Sequence, residues 1–215
     1  MRRELQLAIA LLLSLNAVVA VRAQQVLDRV AARVENDIIL LSEVQDLQRY
    51  QKFIEGQAEG NSQILDRLID QWIVRNEASA ARYPAPAPEE VERSLERLKS
   101  SFSSPEEFES RKKLSGISTE DINGMLASQL YLSNYLDSRF RPSVQIDPKA
   151  VEQFYQARVV PRAEARGQQP PKFEAARDYI QEILVQQAIN EHTDEWLKEA
   201  RIRLHVERFL TDGAK

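Results

Sequence analysis

The chain has 215 residues, 43% of them hydrophobic and 29% charged, with a net charge of −4, two histidines and no cysteine. This suits one or two globular domains and excludes disulfides, thiolate metal sites and cysteine nucleophiles together. The acidic balance leaves no basic footprint for nucleic acid, and His192 and His205 stand too far apart in sequence for ligand spacing, so no metal site and no cofactor are expected.

Arg2 and Arg3 form a positive n-region, Leu5 to Ala20 an apolar core, and Val21-Arg22-Ala23 a small-residue cleavage site, with Val18-Val19-Ala20 as a second option. Residues 1–23 therefore read as a secretory signal peptide. The competing reading is an uncleaved anchor, for which the apolar run is short against the roughly 20 residues of a span. Cleavage would leave 26 basic against 32 acidic side chains, a net charge of −6. The expected mature protein is exported, periplasmic or otherwise outside the cytoplasm, with no stable membrane span.

In Asp28–Val44, Val30, Ala32 and Val34 share one parity, opposite Arg29 and Arg33, which is the pattern of a half-buried strand. Asn36-Asp37 serves as the turn, and Ile38 to Leu41 gives a second strand. Ser42 and Gln45 read as a capping box opening a helix to about Phe53. Ile64, Leu65, Leu68, Ile69, Trp72 and Ile73 then form a wide apolar stripe, placing their helix at the centre. Tyr83 to Pro88 breaks it. Pro88 opens a helix carrying Val91, Leu95 and Leu98 on one face.

Ser104-Pro105 is the next helix start. Ser118 to Asp121 opens another, with Ile122, Leu126, Gln129, Ser133, Leu136 and Phe140 at helical spacing and Arg141-Pro142 as its end. Asp147-Pro148 begins a short helix with Val151, Phe154 and Tyr155. Residues 161–171 read as a linker. A helix from about 172 to 200, roughly 44 Å long, follows. It is too long for one small core and bridges two parts of the molecule. Arg201–Phe209 alternates Ile202, Leu204 and Val206 with polar residues, a strand that completes the first hairpin, since three strands are stable where two are marginal.

The expected fold is mostly α with a small antiparallel sheet. The N-terminal hairpin pairs with a C-terminal strand, and a multi-helix cradle lies between. The expected parts are 24–160, the 161–171 linker, and 172–215 completing the core.

The order of these segments resembles the SurA family of periplasmic chaperones. The residues that carry it are Val30-Ala31-Ala32, Val34, Ile38 to Leu40 and Ser42-Glu43-Val44, then the Ile64–Trp72 helix, Leu114 to Leu136, and Phe140 to Tyr155 with its Pro-Ser-Val-Gln-Ile stretch. Family members with isomerase activity insert parvulin domains after the position of Tyr155, whereas here only residues 156–171 intervene. The resemblance implies the chaperone core alone. It implies no catalytic residue, with unfolded or nascent exported polypeptides, outer-membrane protein precursors among them, as partners.

Glu89-Glu90, Glu106-Glu107 and Glu120-Asp121 fall in first helical turns, where they complement the helix dipole rather than serve acid–base chemistry. The candidate client contacts are Phe102, Phe108, Tyr131 and Tyr135, with core packing as the competing reading. Two other functions stay open: a prolyl isomerase or an accessory to one, and an assembly subunit for one fixed partner.

Overall fold

The computed structural model describes residues 28–210; the expected signal peptide, residues 1–23, lies outside the described residues. Strands β1 (Val30–Val34) and β2 (Asp37–Leu40) form the hairpin. Six helices then precede the irregular connection: α1 (Leu41–Glu55), α2 (Asn61–Ala80), α3 (Pro88–Ser100), α4 (Pro105–Ser115), α5 (Thr119–Phe140) and α6 (Pro148–Phe154). A π-helical turn (Tyr155–Val159), α7 (Val160–Glu164), the long α8 (Phe173–Arg203) and β3 (Val206–Arg208) follow among the described residues. The sheet order is β2-β1-β3, both pairs antiparallel, so the two ends of the described chain meet as the alternation at its C-terminus implies. Among the described residues, no helix is long and apolar enough to cross a membrane.

Four details differ from the sequence reading. A bulge between Val30 and Ala32 places both Ala31 and Ala32 in the core and turns Val30 outward at 38% exposure, so the simple parity fails at the first residue. The turn is Glu35-Asn36, with Glu35 at φ 53°. Glu35 holds that conformation because its N–H donates to the His205 carbonyl at 3.0 Å and its carboxylate accepts the His205 N–H at 2.7 Å. Ser42 lies inside α1. The helix is capped by Glu43, which accepts the Leu40 N–H at 2.7 Å, and by Asp28, which accepts the Ser42 N–H at 3.2 Å. The closing strand is shorter than expected because α8 runs through Arg203, leaving Ile202 79% exposed on the helix.

Other starts follow the residues that signal them. Ser104 Oγ accepts the Glu107 N–H at 3.2 Å, Ser118 Oγ accepts that of Asp121 at 3.0 Å, and Asp147 accepts that of Lys149 at 2.9 Å. Each acidic pair lies in a first turn, and Glu90, Glu107 and Asp121 accept backbone N–H groups there. The expected linker is partly helical, since Pro161 falls within α7, and it is tied down where the Tyr155 hydroxyl donates to the Pro171 carbonyl at 2.5 Å.

The main core joins Ala31, Ala32 and Val34 of the sheet to Val44 and Leu47 of α1, Ile64, Leu65, Ile69 and Ile73 of α2, and Ala200 of α8. The stripe on α2 is central, as its spacing predicts. Arg201 fastens the closure, donating to Asp70 at 2.6 Å and to the Asp66 carbonyl at 3.0 Å, while Arg208 meets Asp66 at 2.5 Å.

Candidate functional site

A cleft of about 510 Å³ opens between α1 and α2 on one side and α3 and α5 on the other. Leu47, Tyr50 and Ile54 reach it from α1, Leu98 from α3 and Leu126 from α5, while the polar groups are mostly amides and guanidiniums, Gln51, Arg67, Gln71, Arg97 and Gln129, with the Glu55 carboxylate and the Ser94 and Ser101 hydroxyls beside them. There the hydroxyl of buried Tyr50 donates to Oε1 of exposed Gln129 at 3.2 Å, linking α1 to α5. Burial pushes the Tyr50 phenol up from its usual value.

The two walls are built differently. Between α1 and α2 the connecting loop is locked by Glu59. Its carboxylate accepts from Arg67 Nε and Nη2, both at 2.5 Å, and from Gln51 Nε2 at 3.0 Å, and its N–H donates back to Gln51 Oε1 at 3.0 Å. Hydrogen bonding from Arg67 holds the Glu59 carboxyl down at about 2. Gly56 ends α1 at φ 81°, where a side chain would be strained and would stand 3.1 Å from Arg111 Nη1.

On the opposite wall α5 is anchored by its buried residues, and α3 is not. α3 has no fully buried residue, and it leans on α5 and the aromatic cluster through half-buried Val91, Leu95 and Leu98. The extended Tyr83–Ala87 segment leads into it. An element with few buried contacts opens at low cost.

The four ring residues expected to contact clients do not lie free. Phe108 is 4% exposed and Tyr135 5%, and Phe102 and Tyr131 are half-buried. Phe102 and Phe108 pack on Phe53 at 5.3 and 5.2 Å between ring centroids, in the cluster that also holds the cleft residues Tyr50 and Leu126. Tyr131 and Tyr135 flank Tyr83 at 6.0 and 5.5 Å, and the Tyr135 hydroxyl accepts from Arg139 at 2.9 Å. The reason is helix phase. Ile122, Leu126, Leu132 and Tyr135 are the buried positions of α5, which rotates Gln129 and Ser133 of the expected stripe outward.

The cleft residues Tyr50, Gln51, Gln71 and Gln129 were not singled out by sequence. Of these, Gln129 alone stood in the helical series named from sequence, one of its two polar positions with Ser133. Gln71 also lines a second groove beside β2, and that groove shares Arg75 with a third one between α1 and α5, so α2 carries three linked concavities. No family model matches this chain, and no curated protein matches it.

Proposed function

We propose that the protein is an extracytoplasmic holdase-type chaperone that shelters unfolded exported chains, outer-membrane protein precursors among them, in the cleft between α1–α2 and α3–α5. On this reading it is a SurA-type core without a parvulin domain. The observation that carries it is the pairing of apolar side chains and mostly amide and guanidinium polar groups with one locked wall and, opposite, a lightly held α3. Apolar groups take side chains of any sequence, amides satisfy an unfolded backbone, and a yielding α3 keeps binding reversible. A hairpin completed by a strand after a long helix adds to the resemblance noted in the sequence.

The test is aggregation of several unrelated unfolded outer-membrane proteins with and without the protein. Near-equimolar amounts should delay it, since each held chain occupies one site. The cis/trans rate of an X-Pro peptide should stay at its slow uncatalysed value, tens to hundreds of seconds. Failure to delay aggregation at equimolar ratio overturns the reading in favour of a fixed partner, and accelerated isomerisation overturns it in favour of an enzyme.

A further inference from the structure

Among the described residues, the side-chain hydrogen bonds and ion pairs of α3 all stay within the helix and the residues that flank it. Arg97 donates to Ser94 Oγ at 3.4 Å, Lys99 to Glu96 at 2.8 Å and Ser100 Oγ to the Glu96 carbonyl at 2.8 Å, while Glu90 accepts the Ala87 N–H at 2.9 Å. The neighbouring helices are tied across elements instead: α5 reaches α1 through Tyr50 and Gln129, and α2 through Arg75 and Ser128. What joins α3 to the rest is one apolar stripe, Val91, Leu95 and Leu98, none of them fully buried. Its other face, with Glu89, Glu92, Arg93 and Glu96, is open to solvent.

The cluster under the stripe holds buried Tyr50 and Phe53 from α1 and Ile122 and Leu126 from α5, with half-buried Ile54 and Met125. Aromatic rings and a methionine accept apolar side chains of many shapes. The segment that covers this seat is fixed at its two ends and free between them. Tyr83 packs on Tyr131 and Tyr135, and Phe102 stacks on Phe53. Between Tyr83 and α3, Pro84 and Pro86 remove backbone N–H groups and keep residues 84–87 out of the helix. Arg82, just before, stands at φ 54°, a conformation that strains a residue other than glycine.

We propose that α3 is a strap over the protein's own docking surface. In the molecule without client it fills the seat on α1 and α5, and when it lifts, a stretch of unfolded chain puts apolar side chains in the places of Val91, Leu95 and Leu98. The inference rests on the chaperone reading and extends the grip from the open cleft to the surface beneath α3. The present occupant brings apolar side chains to the seat and no hydrogen bond across to it, so the surface selects apolar side chains and no particular sequence. α3 then competes with the client instead of helping to hold it. Apparent affinity is scaled by the fraction of molecules whose strap is lifted, so a weaker strap binds client more tightly.

The experiment titrates the protein with fluorescently labelled, reduced and carboxymethylated α-lactalbumin, a chain kept unfolded because its disulfides cannot re-form. Leu95→Ser and Val91→Ser alter the strap and leave the seat intact. Each should tighten binding, by up to about tenfold, with the melting curve little moved because neither side chain is fully buried. Hydrogen exchange gives a second readout. Amides of α3 should exchange faster than those of α1 and α5 in the free protein, and faster again with the probe bound, because the strap has left its seat. Unchanged or weaker binding by the two variants, or slower exchange in α3 on binding, overturns the inference in favour of a wall that closes on the client, and so does a failure of the probe to bind. If one of these results appears while aggregation is still delayed, only the strap falls; if aggregation is not delayed either, the chaperone reading falls with it.

Discussion

The two ends of α8 rest on unequal support. Toward its C-terminus, Ala200 and the half-buried Trp196 and Leu197 join the core that holds the sheet, α1 and α2, where Val34, Val44, Ile64 and Leu65 are wholly enclosed. Toward its N-terminus, Ile180 meets only Val151 and Tyr155 as buried partners, with half-buried residues of α6, the π-helical turn and the start of α8 around them. The join between these regions is electrostatic as much as apolar. Arg141 at the end of α5 donates to Asp137 and, at 2.7 and 3.0 Å, to Glu182 on α8. The lesson is that one bridging helix can serve a large core at one end and a small one at the other, while the cleft meets the large core through Leu47 and the aromatic cluster through Tyr50, Ile54, Leu98 and Leu126.

The largest expected effect comes from breaking the large core. Ending the chain at Arg203 removes β3 and the half-buried Leu204, Val206 and Leu210 that pack on the main core, each worth on the order of 1 kcal/mol. It also uncovers the edge of β1. The melting temperature of the whole protein should fall in a calorimetric scan, and an unchanged melt would show that the closure is not structural.

The two regions are separated next by a matched pair of truncations. Leu65→Ala should cost about 2–5 kcal/mol of global stability by denaturant titration. Ile180→Ala removes a side chain that is equally enclosed, but its main effect should be local. Native-state hydrogen exchange should speed up in α6, the π-helical turn and the first half of α8 and leave the sheet protected. Uniform loss of protection would mean that the two regions unfold as one.

Much of this architecture was legible because local chemistry and tertiary packing agree. The Ile64–Ile73 stripe, the Ser104, Ser118 and Asp147 caps and the returning C-terminal strand all follow from residue spacing. What escaped depends on partners distant in sequence. Glu35 takes a positive φ because His205 meets it, and Asp28 caps a helix that begins beyond the hairpin. The bulge at Val30 shifts a parity that alternation alone cannot shift. The candidate site was the least legible part, since aromatic residues at helical spacing mark a core more often than a surface, and the cleft is lined by amides that carry no periodic signal.

The burial of these rings has its own consequence. Tyr135→Ser should destabilise the protein by about 3 kcal/mol or more, as loss of a buried ring does, whereas Tyr131→Ser, at a half-buried position, should cost less. Chemical denaturation of both variants measures the order, and equal small losses would place Tyr135 outside the packed cluster.

The smallest effect concerns the lock on the cleft wall. The Glu59 carboxyl is held at about 2 rather than its usual 4.5, chiefly by hydrogen bonding from Arg67. A depressed carboxyl contributes stability that is fully present above the unfolded value and lost as pH falls through the folded one. The Glu59–Arg67 contact should therefore persist from neutral pH to below 4.5 and loosen only toward pH 2. An NMR titration of the Glu59 side chain should show a midpoint near 2, and in an Arg67→Met variant it should rise toward 4.5. A wild-type midpoint near 4.5 would mean that the lock does not hold in solution.

The central claim is that an unfolded chain occupies the cleft, and site-specific photocrosslinking tests it most directly. A benzophenone side chain at Ser94, on α3, should capture an unfolded outer-membrane protein. The same group at exposed Gln156, in the π-helical turn, should capture little. No adduct at Ser94, or equal yields at the two positions, would contradict the account.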